Sequence, residues 1–159
     1  MAGVKIYDTA VSPQWIDYNG HLRDGYYTVI FSSAVDALMD RVGLDESYRK
    51  ATGCTLYTLE MHLHFLHEVK QSDALDVQVR ILAADRKRIH AALEMYTARF
   101  SDPVASCEFM LLHVCQNPEP RAVAFPPEIA AAIEQLRAMS APLPVAAPGS
   151  RAIELRSRP

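Results

Sequence analysis

The sequence is poor in the residues that staple, span or coat. Only three of its 159 residues are cysteine, namely Cys54, Cys107 and Cys115, and no C-x-x-C pair occurs. That count excludes a dense disulfide scaffold and a thiolate zinc cluster, and it suits a reducing compartment. Cys107 and Cys115 fall in an apolar stretch, where a buried, inert thiol is expected. No cation stands beside any of the three, which argues against a cysteine nucleophile. No apolar run approaches the ~20 residues that cross a membrane. Met1-Ala2-Gly3-Val4-Lys5 lacks an apolar core, so no signal peptide is expected and the cytoplasm is the expected compartment. The net charge of −3 gives no general attraction to nucleic acid. No repeat or low-complexity block precedes Ser140.

What remains is an ordinary globular composition, 50% hydrophobic, long enough for one well-filled core. Residues 1–140 are expected to form one domain. Residues 141–159 are rich in Pro, Ala and Arg, lack periodicity and are expected to be a tail.

The chemistry concentrates in Trp15-Ile16-Asp17-Tyr18-Asn19-Gly20-His21. A carboxylate, a glycine turn and an imidazole stand there just ahead of a helix pattern. Tyr27, Ile30, Phe31, Ala34, Val35, Leu38 and Val42 recur at three- and four-residue spacing, which predicts a helix from Gly25 to Val42. Asp24 is its expected N-cap and Gly43 its stop. A helix N-terminus carries unpaired N–H groups and partial positive charge, so it can hold a developing oxyanion. Carboxylate plus oxyanion hole is the minimum needed to attack a thioester carbonyl. The same residues also suit a bare turn, with Asp17 and Asn19 shaping it and Gly20 supplying a positive φ.

Alternation of period two marks the strands. From Tyr57 to Phe65 the set Tyr57, Leu59, Met61, Leu63, Phe65 is expected to face the core, with Thr58, Glu60, His62 and His64 on the other side. Leu75 to Ile81 and Ile89 to Met95 repeat the pattern, joined by Asp85-Arg86-Lys87-Arg88 as a charged hairpin. Val104 to Gln116 is apolar on both faces and predicts a central strand. Val4 to Val11 is a weaker N-terminal strand. Pro126-Pro127 opens a closing helix from Glu128 to Met139. Strand, long helix, four strands and short helix give an α+β class: one antiparallel sheet wrapped around one long central helix.

The element order together with Val11-x-x-x-Trp15-x-Asp17-x-x-Gly20-His21, Tyr27, Gly43 and the strand carrying Glu60 resembles the hotdog-fold acyl-CoA thioesterases of the 4-hydroxybenzoyl-CoA thioesterase-like group, over about residues 4 to 138. Ile16 to His21, Tyr57 to His62, Leu66 to Val69 and Arg86 to His90 are similar to the betainyl-CoA thioesterases of carnitine breakdown. Asparagines often follow G-H-x in the family; Arg23 and Asp24 stand there in this chain. The resemblance implies an acyl-CoA substrate, no cofactor, no metal, and a homodimer or dimer of dimers, since one subunit's sheet would leave a strand edge open.

It also implies roles. Asp17 would be the catalytic carboxylate, as general base or nucleophile. N–H groups near residues 25 to 27 would polarise the thioester oxygen. His21 would orient Asp17 or line the pocket, unless it only closes the loop. Tyr27 and Gly20 belong to the same substrate-binding motif. For a betaine acyl group, Glu60 would neutralise the quaternary ammonium, and Trp15, Tyr18, Tyr26 and Tyr57 would offer ring faces. The competing reading of Glu60 is a solvated or interface position. Arg86, Lys87 and Arg88 would meet the CoA phosphates, or else form a solvated turn. His62 and His64 lack a third histidine at metal-ligand spacing. A hotdog dehydratase would need a proline-rich loop after its histidine, and none follows His21. The remaining alternatives are a general short-chain or aromatic acyl-CoA thioesterase, or a non-catalytic acyl-binding protein that would not need Asp17.

Overall fold

The strongest apolar spacing in the chain gives its longest helix. In the computed structural model, which describes residues 3–140, α1 spans Asp24–Val42 and buries Ile30, Phe31, Ala34 and Leu38. The tail expected over residues 141–159 lies outside the described residues. Gly43 ends α1 with φ +89°, a left-handed turn in which a β-carbon is strained. Asp24 is not the N-cap. Arg23 takes that position, and Asp24 is the first helical residue, its carboxylate accepting from the Gly25 N–H at 2.8 Å.

Around α1 the chain lays down β1 (Val4–Ala10), a 3-10 turn at Pro13–Trp15, a short helix α2 (Glu46–Thr52), β2 (Cys54–Phe65), β3 (Ala74–Ala84), β4 (Arg88–Thr97), β5 (Ala105–Cys115), β6 (Arg121–Ala122) and α3 (Pro127–Met139). The sheet runs β1-β3-β4-β5-β2, with β6 beside the end of β5, and every pairing is antiparallel. Helices α1 and α3 pack on the same sheet, α1 against β1 and β3 and α3 against β3. Val77, Val79, Leu93, Met95 and Leu111 are buried with the α1 stripe in one core. This is the hotdog arrangement, and β5 is interior as its two apolar faces predict.

Three further features depart from the expectation. The helix α2 is extra: it buries no residue, so it leaves no apolar periodicity to detect, although Asp45 caps its start through the Tyr48 N–H and Gly53 ends it. A second departure lies in β2, which carries a β-bulge. Thr58 pairs with Leu111 but Glu60 pairs with Met110, leaving Leu59 as the extra residue. One extra residue exchanges the two faces. Leu56 and Thr58 therefore share the α1 side with Met61, while Tyr57 lies opposite the outward-facing Leu112. Tyr57, Leu59 and Phe65 are exposed on this edge strand and not buried as the alternation predicts.

The third departure is covalent. Cys54 and Cys115 are direct cross-strand partners on β2 and β5 and form a disulfide. The expectation of an isolated inert thiol holds for Cys107, which is free and buried, but not for Cys115. Nearby, buried His113 fastens β5 to its surroundings. Its Nδ1 faces the carbonyls of Val123 and Ala124 at 3.2 Å, and its Nε2 accepts from the Tyr48 hydroxyl at 3.1 Å. Burial holds its pKa below the usual histidine value, so it is a neutral structural imidazole.

Candidate active site

The loop between β1 and α1 is built to hold one carboxylate still. Asp17 Oδ1 accepts from the Asn19 N–H at 2.8 Å and the His21 N–H at 3.1 Å. The Asp17 N–H donates to the His21 carbonyl at 2.8 Å, and Gly20 closes the turn onto the Asp17 carbonyl at 3.1 Å with φ +81°. The turn reading of D-x-x-G-H is thus realised, with Asp17 and Asn19 shaping it and Gly20 at the positive φ. Leu22 and His21 anchor this loop on Val69 and Lys70, just before β3.

Both backbone donors bind Oδ1, and Oδ2 has no partner among the described residues. The His21 N–H, first, and the Asn19 N–H hold the Asp17 carboxyl below the ordinary aspartate value. Asp17 is therefore an ionised carboxylate with one free oxygen. It lines an open cavity of about 940 Å³ at the N-terminus of α1. His21, Asp24 and Glu68 are among its polar walls, and Tyr27, Phe65 and Phe100 among its apolar ones.

Glu68 escaped the sequence reading as a site residue. Its Oε2 lies 3.0 Å from His21 Nε2. Only the fold brings it there, because the partners are separated by α1, α2 and β2. The first turn of α1 is partly occupied. Gly25 N–H is taken by Asp24, and Tyr26 N–H donates to the Arg23 carbonyl at 3.0 Å. A developing oxyanion at Gly25 must displace the Asp24 carboxylate.

The other expected site residues divide. Tyr27 is buried at the cavity, edge-on to Phe65 with centroids 5.0 Å apart, and Tyr18 lines it from an almost fully exposed position. Trp15 and Tyr26 stack on each other at 5.5 Å and do not line the cavity. Tyr57 sits far along β2, accepting from Gln116 Nε2 at 3.1 Å. Glu60 lies on the outer face of the sheet, 2.7 Å from His62 Nε2, in a separate depression shared with His90 and Glu108. Glu94, four residues after His90 on β4, lies on that same outer face, where it is engaged by Arg80 and Tyr96.

The basic hairpin lies at the opposite end of the sheet from Asp17. Asp17 sits where β3 begins, and Arg86, Lys87 and Arg88 follow its end, 11 residues or about 35 Å away along the strand. Arg88 is engaged by Asp85, with Nε at 2.8 Å. This pairing, with the Lys87 and Arg88 N–H groups, lowers the Asp85 pKa to about 2. Arg86 and Lys87 form no ion pair among the described residues. Nor do these residues place three or more His, Cys, Asp or Glu side chains so as to hold a metal ion.

Residues 11–133 match the family model of the thioesterase-like superfamily. The chain is 46% identical over 139 residues to a betainyl-CoA thioesterase of Pseudomonas aeruginosa PAO1, covering 87% of each protein. A crystal structure from Pseudomonas putida KT2440, described as a candidate thioesterase, superposes with TM-score 0.81 at 37% identity, over 99% of both chains. A Staphylococcus aureus protein solved in complex with CoA gives TM-score 0.85 at 27% identity, covering 97% of this chain and 98% of its own.

Proposed function

Since the chain belongs to the thioesterase-like superfamily and is a thioester hydrolase, we propose that it cleaves betainyl-CoA to glycine betaine and CoA, with Asp17 as the catalytic carboxylate. The observation that carries the mechanism is the free Oδ2 of Asp17 in a cavity at a helix N-terminus. Oδ2 attacks the thioester carbonyl, expelling the CoA thiolate and leaving a mixed anhydride that water hydrolyses, or it takes a proton from the water that attacks the carbonyl and displaces the thiolate. In both routes the first turn of α1 stabilises the oxyanion. His21, braced by Glu68, lines the approach. The substrate supports a cytoplasmic assignment, and no helix among the described residues is long and apolar enough to cross a membrane.

The working unit we propose is a dimer paired through the open β2 edge. Leu59 and Phe65 on that edge are 55% and 54% exposed, an apolar liability in a lone subunit. Antiparallel pairing of two β2 strands reverses one sheet relative to the other. Each partner's basic hairpin then comes to the Asp17 end, three strands from the joining β2, or about 14 Å away. This resolves the separation of Asp17 from its own hairpin. Because Arg88 is committed to Asp85, Arg86 and Lys87 carry the phosphate contact. Replacing both by Ala should raise KM for acyl-CoA about 10-fold and flatten its dependence on salt, which screens charge pairing. An acyl-pantetheine, lacking the nucleotide, should respond far less. Equal responses would remove the hairpin from CoA binding.

The acyl group is tested by comparing betainyl-CoA with its neutral isostere, 3,3-dimethylbutyryl-CoA. A cationic head enters a partly dry site only where carboxylate and ring contacts offset its desolvation. The charged ester should be favoured by ~1–3 kcal/mol, roughly 5- to 150-fold in kcat/KM. Equal or faster cleavage of the neutral ester would leave a general short-chain or aromatic acyl-CoA thioesterase.

A further inference from the structure

A second cavity, distinct from the one at Asp17, lies between α1 and the β2 edge and measures about 280 Å³. Met61 and Phe109 are among its apolar walls. Its polar lining is Thr28, Ser32 and Thr58 with a single carboxylate, Asp36. Thr28, Ser32 and Asp36 recur every four residues and so form one stripe along α1. Asp36 has no hydrogen bond or ion pair among the described residues, and no cation lines the cavity. Glu60 differs on each point: it lies on the other side of the sheet and is already answered by His62.

We propose that Asp36, rather than Glu60, receives the quaternary ammonium of the acyl group, in the active site headed by the partner subunit's Asp17. This rests on the betaine reading and on the β2-paired dimer. Asp36 lies twelve residues beyond Asp24, about 18 Å along the axis of α1, too far for a small acyl group bound at its own helix N-terminus. The two-fold that pairs the β2 edges sets the two α1 helices antiparallel. The later turns of one then lie beside the first turn of the other. A site made in this way joins a carboxylate for chemistry from one chain to a carboxylate for charge recognition from the other. The hydroxyls of Thr28, Ser32 and Thr58 and the thioether of Met61 complete a lining that suits a methylated cation, which has no N–H to donate.

Asp36→Asn should reduce the ratio of kcat/KM for betainyl-CoA over 3,3-dimethylbutyryl-CoA about 10-fold or more, and Glu60→Gln should leave that ratio in place. Asp36 is exposed, so the substitution is expected to be mild for folding. A ratio unchanged in Asp36→Asn overturns the assignment. A wild-type protein with no preference for the charged ester overturns the betaine reading itself. Mixed dimers of one Asp17→Asn subunit and one Asp36→Asn subunit separate the geometries. If Asp36 acts across the interface, one site loses both residues and the other keeps both, so the surviving activity retains the full wild-type ratio. If the surviving activity shows the reduced ratio, Asp36 acts within its own subunit and the trans arrangement fails.

Discussion

Asp17→Asn should lower kcat on an acyl-CoA by at least ~100-fold, the scale of a lost general base or nucleophile. The fold should be kept. An asparagine can still accept the N–H groups of Asn19 and His21 through its side-chain oxygen, so the turn survives while the free carboxylate oxygen does not. The pH profile gives an independent check. The two backbone donors hold the Asp17 carboxyl below its ordinary value of 3.8. A group with a depressed pKa stays ionised as pH falls, so kcat/KM should hold from neutrality through the usual carboxylate range and fail only below it. An acid limb in the histidine range would transfer the rate-limiting ionisation to an imidazole. Wild-type turnover in Asp17→Asn would remove the aspartate from the mechanism.

Reducing the Cys54–Cys115 bond should lower the free energy of unfolding by about 4 kcal/mol on the loop-entropy account. The two cysteines are 61 residues apart in sequence, so the bond closes a long loop that contains most of β2, all of β3 and β4, and nearly all of β5. For a chain of this size that is a fall in Tm of about 10 °C. The measurement is thermal unfolding with and without a phosphine reductant. A Cys54→Ser/Cys115→Ser variant should melt low in both. Cys107 should not confuse the result, because burial pushes its thiol up to about 12 and keeps it unreactive in the native state. Three alkylatable thiols in denatured, unreduced protein would show that the bond does not form. Its state in a cell then follows the redox poise of the compartment.

The parts of this molecule legible in sequence are those fixed by local spacing. The α1 stripe, the Gly43 stop, the alternation in β3 and β4 and the D-x-x-G-H turn all depend on near neighbours, and all appear where expected. What stayed hidden depends on register. That Cys54 faces Cys115, that Glu68 reaches His21, and that Arg86 lies a sheet's length from Asp17 follow only once strands are paired. Thr58 illustrates the difference: alternation puts it on the outer face with Glu60, but the pairing of β2 with β5 turns it to the side that α1 covers. Asp36 could be seen only as a residue off the apolar stripe, since its cavity is made by three elements distant in sequence.

The bulge at Leu59 bears on how relatives of this chain should be compared. A sequence alignment treats one inserted or deleted residue in a strand as a small event. Here deleting Leu59 would remove the bulge and restore regular alternation, leaving Leu56 and Thr58 toward α1 and Glu60 outward. Keeping every residue but losing the bulge would instead turn residues 54–58 over, sending Leu56 and Thr58 outward and Tyr57 toward α1. A homologue with a one-residue gap here would therefore line the Asp36 cavity with the same side chains, whereas an ungapped homologue does so only if it carries the same bulge. Pocket chemistry along this strand is inherited through the pairing of residues as much as through their identity.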